Sequence, residues 1–264
     1  MPGFIDHTSN LVRSLGWVKT AGIFFRRALK INAATKVGPH KLQLRCRDSD
    51  LFVYGQVFGA EEYSVGKRNE RALKDFIARS VGGGKTPIII DGGGNVGYSA
   101  VYFATTYPEA QVITIEPDPV TFALMKSNCS AFKNVVPIHG AIWTHQNGVH
   151  LGNTAQASWA RTVEDEGKTP SFTIEALVSK IPNADPLILK LDIEGAEAEV
   201  LRSSAAVVRR FPCILIEPHD FMVPGKNTIS GLFSTLADRQ IDTLIRGENL
   251  MFFDTQVLRI GLIA

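Results

Sequence analysis

The chain has 264 residues, of which 45% are hydrophobic and 20% charged, and its formal net charge is only +2. This composition is typical of a globular protein, and so small a net charge argues against a nucleic-acid partner. Three scattered cysteines without metal-type spacing argue against a zinc site or a disulfide framework and favour a reducing compartment. Because we find no apolar run near the ~20 residues of a membrane span and no signal peptide, we expect a cytoplasmic protein.

The N-terminal part, residues 1–80, is predicted to be an extension of helices and a short hairpin ahead of a main domain at 81–264. Residues 1–35 are predicted to be helical. Within them, "LVRSLGWVKTAGIFFRRALKI" (11–31) carries five basic residues, no acid, and apolar residues at helical spacing. Two interpretations stay open: a helix packed on the main domain with its basic face in water, or an amphipathic helix in peripheral contact with a membrane.

Two more elements are predicted in the extension. The stretch "KLQLRCRDSDLFVYGQV" (41–57) alternates apolar and polar residues around a turn-prone centre, which predicts a hairpin or a pair of short strands. Helical periodicity follows in "NERALKDFIARS" (69–80), with Asn69 as the predicted N-cap.

From Pro87 onward, short apolar strands alternate with helices. The predicted strands are "PIIID", "AQVITIEPD", "VVPIHGAIW", "PLILKLDIEG" and "CILIEPHD", and "DTLIRGENLMFFDT" closes the chain as a hairpin-like pair. This alternation predicts βαβ crossovers and a mainly parallel sheet, and the closing pair predicts an antiparallel edge.

The loop in "PIIIDGGGNVGYSA" (87–100) is the first pointer to a ligand. Glycines 92, 94 and 97 satisfy G-x-G-x-x-G, and Glu116 ends the next strand, where an acid binds ribose hydroxyls. These features alone fit an NAD-binding domain. Asp91, which directly precedes the glycines, is expected to face the mouth of the crevice. There it would repel a pyrophosphate and pair with a cationic ligand such as S-adenosylmethionine.

Four motifs occur together in one order: "IIIDGGGNVGYSA", "VITIEPDPVTFALMKSN", "ILKLDIEGAEAEVL" and "ILIEPHD". Together they resemble the FkbM family of S-adenosylmethionine-dependent methyltransferases, over residues 48–255. The resemblance implies a Rossmann-like class I methyltransferase fold, α/β, with a mainly parallel seven-stranded sheet whose last strand is antiparallel. It also implies methyl transfer to a hydroxyl of a sugar, a glycan or a natural product.

The resemblance also implies which residues hold the cofactor. The glycine loop would lie beneath the methionine moiety, Glu116 would hold the ribose, and residues after the second and third strands would flank adenine. The residues assigned to cofactor binding are Asp91, Gly92, Gly93, Gly94, Asn95, Gly97, Tyr98, Glu116, Pro117, Ala141, Ile142 and Asp192.

Two residues are the predicted catalytic bases, Asp192 in "KLDIEGAE" and His219 in "IEPHD", with little to separate them. Histidine has a pKa near neutrality, which suits a general base. Glu194 and Glu217, each two residues away from one of them, are predicted to contact the substrate. The alternatives are a salt bridge of Lys190 with the neighbouring acids, or a plain surface histidine. No metal is predicted, although Asp192, Glu217 and His219 form an alternative metal site.

Two loops are candidate covers for the site. The first, "GAEEYSVG" (59–66), is predicted to be a lid that brings Tyr63 to the acceptor, or else an ordinary connection. The second is the polar segment 145–170, where Trp159 beside Arg161 would either stack on a sugar or simply pack against the protein.

Two other functions stay open at this point. One is an NAD-linked oxidoreductase, which does not explain "KLDIEGAE". The other is a non-catalytic module that binds a cofactor or a glycan on the same fold. The expected partner is a small-molecule or glycan acceptor, and neither its identity nor the oligomeric state can be read from the sequence.

Overall fold

The computed structural model describes residues 4–29, 31–45, 49–152, 163–165, 167–220 and 225–260. The α-helices are α1 (Phe4–Leu15), α2 (Trp17–Ala28), α3 (Asp50–Tyr54), α4 (Gly66–Gly82), α5 (Tyr98–Thr106), α6 (Pro119–Cys129), α7 (Ile174–Val178), α8 (Glu197–Ser203), α9 (Ala205–Val208) and α10 (Ser230–Leu236), and a π-helix spans Gly55–Gly59. The strands are β1 (Ala33–Val37), β2 (His40–Leu44), β3 (Thr86–Gly92), β4 (Gln111–Glu116), β5 (Val135–His139), β6 (Ala141–Ile142), β7 (Val149–Leu151), β8 (Val163–Asp165), β9 (Ser171–Phe172), β10 (Ala184–Leu191), β11 (Cys213–Ile216), β12 (Ile241–Arg246) and β13 (Asn249–Asp254).

The centre of the molecule is a seven-stranded sheet in the order β12-β13-β11-β10-β3-β4-β5. Neighbouring strands from β11 to β5 are parallel, and β13 runs antiparallel to both β11 and β12. This is the mainly parallel sheet with an antiparallel last strand that the sequence predicts, so the Rossmann-like class I prediction is confirmed.

Both faces of the sheet are covered, which explains why its strands are continuously apolar. Ile89 packs in one core with helices α4, α5 and α6 and with the N-terminal extension. Its neighbours Ile88 and Ile90 point to the opposite face and pack in a second core with α7, α8, α9 and α10.

The extension packs directly against the first of these cores. Leu11 of α1 is fully buried in it, and Gly59 lies so close to α1 that a Cβ would overlap the carbonyl oxygen of Asn10. At β2, the Gln43 amide donates a hydrogen bond to the Asn128 side chain at 2.8 Å. The boundary between residues 80 and 81 remains a prediction.

Three local predictions in this part are wrong. The hairpin lies at β1 and β2 rather than at 41–57, because residues 50–59 are helical. There the buried Asp50 accepts a hydrogen bond from the Arg45 amide at 2.7 Å and pairs with the Arg45 guanidinium. Residues 1–35 are not all helical, since β1 begins at Ala33. Asn69 lies inside α4 and does not cap it, because the helix begins at Gly66.

Two further predictions concern the sugar-stacking pair and membrane-spanning helices. The predicted sugar-stacking pair, Trp159 and Arg161, lies outside the described residues. Among the helices that the structure describes, none combines the length and the apolar character needed to span a bilayer.

Candidate active site

A cleft opens at the carboxyl ends of β3, β4 and β10, with about 640 Å³ of empty space, part of which is open to solvent. Its lining consists of Gly93, Asn95, Ile115, Glu116, Pro117, Asp118, Thr121, Gly140, Ala141, Ile142, Asp192, Ile193 and Glu194. None of these described lining residues is Lys, Arg or His, so the cleft suits a nucleoside-containing ligand without phosphates better than a dinucleotide.

The floor of the cleft is glycine because other backbone lies directly against it. Gly93 has φ +74°, and a Cβ there would overlap the carbonyl oxygen of Asp192. At Gly94, a Cβ would overlap the Thr114 hydroxyl, while its amide donates to the Ile115 carbonyl at 2.9 Å. The bare loop therefore joins the end of β4 to the residue after β10 and leaves main chain exposed to a ligand.

Glu116 is the carboxylate that this loop orients. Its Oε2 accepts a hydrogen bond from the Asn95 amide at 3.0 Å, and its Oε1 accepts one from the Asp118 amide at 2.9 Å. Burial raises the pKa of Glu116 to about 7, although these two amide bonds act to lower it. A carboxylate held at a fixed angle beside an apolar slot of Pro117 and Ile142 fits a ribose with its attached base.

Five of the residues assigned to the cofactor do not line the cleft: Asp91, Gly92, Gly94, Gly97 and Tyr98. Gly97, at φ +90°, precedes α5 and packs against Cys129 and Met125. Tyr98 donates its hydroxyl to the Gln43 carbonyl at 2.7 Å and stacks edge-on against Tyr54. Its side chain therefore anchors the N-terminal extension.

The prediction that the Asp91 carboxylate faces the mouth of the crevice is wrong. Asp91 is fully buried, and its Oδ2 accepts hydrogen bonds from the hydroxyls of Ser99 and Thr114, both at 2.8 Å. Its Oδ1 lies 3.3 Å from the Lys190 ammonium. Asp91 therefore supports the glycine loop through the Lys190 ammonium, and it does not line the cleft.

Lys190 ties the two sides of the cleft together. Its buried Nζ donates to the Gly93 carbonyl at 2.8 Å and lies 3.3 Å from both Asp91 and Asp192. It also lies over the Tyr63 ring, 5.8 Å from the centroid. Burial acts to lower the pKa of Lys190, but the surrounding acidic groups outweigh it and hold the pKa well above the usual range.

Beside Lys190 lies a group that we call the carboxylate cluster: Asp192, Glu194, Glu217 and His219. The His219 Nε2 is 3.7 Å from Asp192, 3.6 Å from Glu194 and 3.8 Å from Glu217. Its other ring nitrogen, Nδ1, is 2.8 Å from Glu197 Oε1. His219 is only 2% exposed, so it is not the surface histidine that the sequence left open.

Burial and neighbouring charges shift the pKa values of His219, Glu194 and Glu217. Burial alone would lower the pKa of His219, but the hydrogen bond that its Nδ1 donates to Glu197 and the nearby carboxylates raise it to about 9. Burial, reinforced by the charge of Asp192, raises the pKa of Glu194 to about 8 and that of Glu217 to about 9. The cluster therefore holds protons that are exchangeable slightly above neutral pH.

Sequence reasoning missed the position of Glu197. It was interpreted as an acid in the first turn of a helix, but it is fully buried, and its Oε1 also accepts a hydrogen bond from the Ile193 amide at 3.2 Å. The i, i+3 spacing of Glu194 and Glu197 in "DIEGAE" is the only sequence signal. The left-handed φ of +56° at Glu194 turns the chain so that both acids reach His219.

The predicted lid contributes buried groups near this cluster. Glu62 accepts a hydrogen bond from the Glu248 amide at 3.0 Å, so it joins residues 59–66 to the β12–β13 turn. Tyr63 is buried, and burial raises its pKa well above the usual range. Its assignment to the substrate remains a prediction, as do the other site assignments.

One set of described side chains has the geometry to hold a metal ion: Asp192, Glu194 and His219, whose ligand atoms all lie within 4.8 Å of one another. It shares two members with the alternative metal site of the sequence analysis, with Glu194 in place of Glu217.

The strand order is that of a Rossmann-like α/β fold. Comparison with known proteins adds the family. The model of the methyltransferase FkbM domain matches residues 91–246, and the chain belongs to this family. The family uses S-adenosylmethionine, which confirms the predicted cofactor and replaces the NAD-linked alternative.

Individual relatives are distant. "Methyltransferase 1" of Beauveria bassiana is 25% identical, and the match covers 43% of this chain and 57% of that protein. The hexuronic acid methyltransferase AglP of Haloferax volcanii is 26% identical over 62% of this chain and 69% of that protein. Among solved structures, a Staphylococcus aureus protein described as a caffeoyl-CoA O-methyltransferase is similar over 78% of this chain and 92% of that chain. The sequence identity is 13% and the TM-score is 0.39.

Proposed function

We propose that the protein transfers a methyl group from S-adenosylmethionine to a hydroxyl oxygen of a sugar, a glycan or a natural product. One observation carries the proposal. Asp192, a partly exposed carboxylate beside His219, lines the same cleft as Glu116 and the glycine loop. A proton acceptor next to the cofactor cleft is what a hydroxyl acceptor needs, because an attacking hydroxyl must lose its proton.

The cofactor, when bound, supplies a methyl group that is attached to a sulfonium. Transfer of this methyl group leaves a neutral thioether. The residues fit it, because the cleft combines an apolar slot, an oriented carboxylate and a glycine floor without a lining cation. We assign the ribose hydroxyls to Glu116 and adenine to the slot of Pro117, Ala141 and Ile142. Gly93 and Asn95 present the main chain to the methionine moiety.

Asp192 is the residue that we assign to the acceptor hydroxyl. As the oxygen–methyl bond forms, the hydroxyl proton passes to Asp192. His219, buried behind Asp192 at 3.7 Å, then receives the proton, and Glu197 holds the imidazole in place. His219 is therefore a positioning and proton-accepting residue that acts through Asp192. Lys190 fixes the second oxygen of Asp192.

The acceptor class rests on Glu194, which lines the cleft, and on Glu217, which lies 3.8 Å from His219 in the same cluster. Carboxyl oxygens are suited to accept hydrogen bonds from several hydroxyls of a polyol. That a relative is called a hexuronic acid methyltransferase supports a sugar as the substrate class. A non-catalytic binding module remains the second candidate, and only turnover separates the two.

The first test is isothermal titration with S-adenosylhomocysteine, with NAD⁺ as the control ligand, on the wild type and Glu116→Ala. We expect micromolar binding of S-adenosylhomocysteine that the variant loses, and no binding of NAD⁺. Absence of binding by the wild type would contradict our cofactor site.

Transfer of labelled methyl from S-adenosylmethionine to neutral glycosides, hexuronic acid glycosides and phenols then tests the reaction. We expect a methyl ether on a sugar hydroxyl and lower turnover by His219→Ala, with cofactor affinity nearly intact. Full turnover by His219→Ala on its acceptor would remove that residue from the mechanism, and binding without turnover on any acceptor would favour the non-catalytic module.

A further inference from the structure

Helix α2 presents an apolar face that no described part of the chain covers. Trp17 is 75% exposed, Val18 89% and Phe25 67%, and Leu29, just after the helix, is also exposed. Val18, Phe25 and Leu29 are seven and four residues apart, so they form one stripe along the helix, and Trp17 lies beside its first turn. We call these four residues the outer face of α2.

The helix is held on the protein by its other side. Thr20 and Ile23 are buried, and Ile23 belongs to the core on the β3 side. The Arg27 guanidinium lies over the Phe52 ring, 5.0 Å from its centroid. The outer face is therefore a fixed surface of a docked helix, and its exposure is not a consequence of an unanchored segment.

The charge pattern distinguishes between two possible partners of this face, a second copy of the chain and an anionic lipid surface. Lys19 and Arg26 are exposed, seven residues apart, and form a basic row beside the apolar stripe. The helix contains no acidic residue. In a symmetric dimer through this face, each basic row would lie near its own copy, and like charges would repel. An anionic lipid surface instead accepts the apolar stripe between its headgroups and the basic row at its phosphates.

We propose that the outer face of α2 docks the protein on an anionic membrane surface, with Trp17, Val18, Phe25 and Leu29 at the level of the lipid headgroups and Lys19 and Arg26 against anionic lipids. The proposal adopts the membrane interpretation of residues 11–31 and adds it to the packing of the helix on the main domain. One face of the helix packs on the protein, and a second apolar face is left for lipid.

The test is cosedimentation with phosphatidylcholine vesicles that contain roughly one-third phosphatidylserine, against vesicles of phosphatidylcholine alone. We expect the wild type to sediment with the anionic vesicles and to be released by salt, because exposed charges are screened. Phe25→Ser should weaken partitioning about tenfold or more, since burial of one aromatic side chain is lost. Lys19→Glu with Arg26→Glu should weaken it about fivefold for each positive charge removed.

The matched control is Phe233→Ser in α10, because Phe233 is another exposed phenylalanine, 55% accessible, outside this face. It should partition like the wild type. Failure of the wild type to bind anionic vesicles, equal binding to neutral vesicles, or an equal loss in Phe233→Ser would overturn the proposal. So would a dimer in light scattering that Phe25→Ser disrupts, because a second copy would then be the occupant. Release of the wild type by salt is measured without any variant, so this test remains valid even if a substitution impairs folding.

Discussion

The two sides of the cleft are built by different means. On the loop side, formed by Gly93, Asn95 and Glu116, backbone amides fix the one carboxylate, and glycine is required by steric contact. On the cluster side, Asp192 and His219 lie among ionisable groups whose protons are shared. The difference implies that the loop side acts through shape and the cluster side through charge, and variants of the two sides should respond differently.

The largest effect is expected from the cluster side. Asp192→Asn should lower methyl transfer by about 10²–10⁴-fold, the usual contribution of a positioned base. S-adenosylhomocysteine, whose sulfur is neutral, should keep most of its affinity, so rate and binding separate. Single-turnover kinetics with saturating S-adenosylmethionine measures the rate. Asp185→Asn, at the opposite end of β10, is the control, and an unchanged rate in Asp192→Asn would leave Asp192 without the role assigned to it.

A substitution on the loop side should reduce stability through steric overlap. Gly93→Ala should destabilise the protein by about 2–4 kcal/mol, because a Cβ there combines a positive φ with overlap of the Asp192 carbonyl. Gly84→Ala is the matched control, since Gly84 also has a positive φ of +71° but open space around it. It should cost only about 1 kcal/mol. Denaturant unfolding without cofactor compares them, and equal losses would show that only φ matters.

Glu197 tests whether the cluster side depends on a buried partner. Glu197→Gln removes the negative charge next to His219 Nδ1, so the pKa of His219 should fall from about 9 toward the ordinary 6.5. Because the deprotonated imidazole receives the proton, the rising limb of the pH–rate profile should move to lower pH. Its plateau should fall about tenfold, within the range that one positioned base supplies.

Glu199→Gln, in the same helix, is the control and should leave the profile unchanged. An unshifted profile in Glu197→Gln, with the plateau alone reduced, would mean that Glu197 is only structural.

The loop side should show a smaller pH effect of its own. Burial raises the pKa of Glu116 to about 7, so its ionised fraction falls as the pH drops below 7. Ribose hydroxyls bind the ionised carboxylate, and S-adenosylhomocysteine affinity should therefore weaken by about tenfold per pH unit below that point. Titration across pH measures this. Glu116→Gln should bind weakly at every pH, and an identical slope in that variant would assign the effect to another group.

The smallest expected effect is that of a chelator. We predict no resident metal, because the Lys190 ammonium already places a positive charge at Asp192. Dialysis against EDTA should leave turnover unchanged. A loss that Mg²⁺ or Mn²⁺ restores would instead make ligands of Asp192, Glu194 and His219, the set whose donor atoms lie within 4.8 Å.

The loop side was more predictable than the cluster side for a physical reason. Gly93 and Glu116 each lie at the end of an apolar strand, and strand ends of a parallel sheet meet at one edge. The pattern of apolar strands therefore predicted the location of both. The cluster side depends on distances across chain segments, from residue 63 to residue 219, which no local pattern contains.

One orientation was predicted wrongly for the same reason. Asp91 was expected to face the ligand, but the hydroxyls of Ser99 and Thr114, distant in sequence, donate to its carboxylate. The Tyr98 hydroxyl donates to the Gln43 carbonyl of the extension, and the assignment of Tyr98 to the cofactor remains a prediction. Side-chain direction at a strand end depends on which neighbours supply partners, and this information is tertiary.

By itself, the sequence determined the βαβ alternation, the glycine loop, the family and the cofactor, because apolar periodicity and contiguous motifs are local properties. The tertiary structure decided three things: that Lys190 joins Asp91 to Asp192, that Glu197 holds His219, and that α2 keeps a second apolar face exposed. Each depends on which side chains of remote segments are buried together. Burial sets both the pKa of an ionisable group and the surface that remains for a partner.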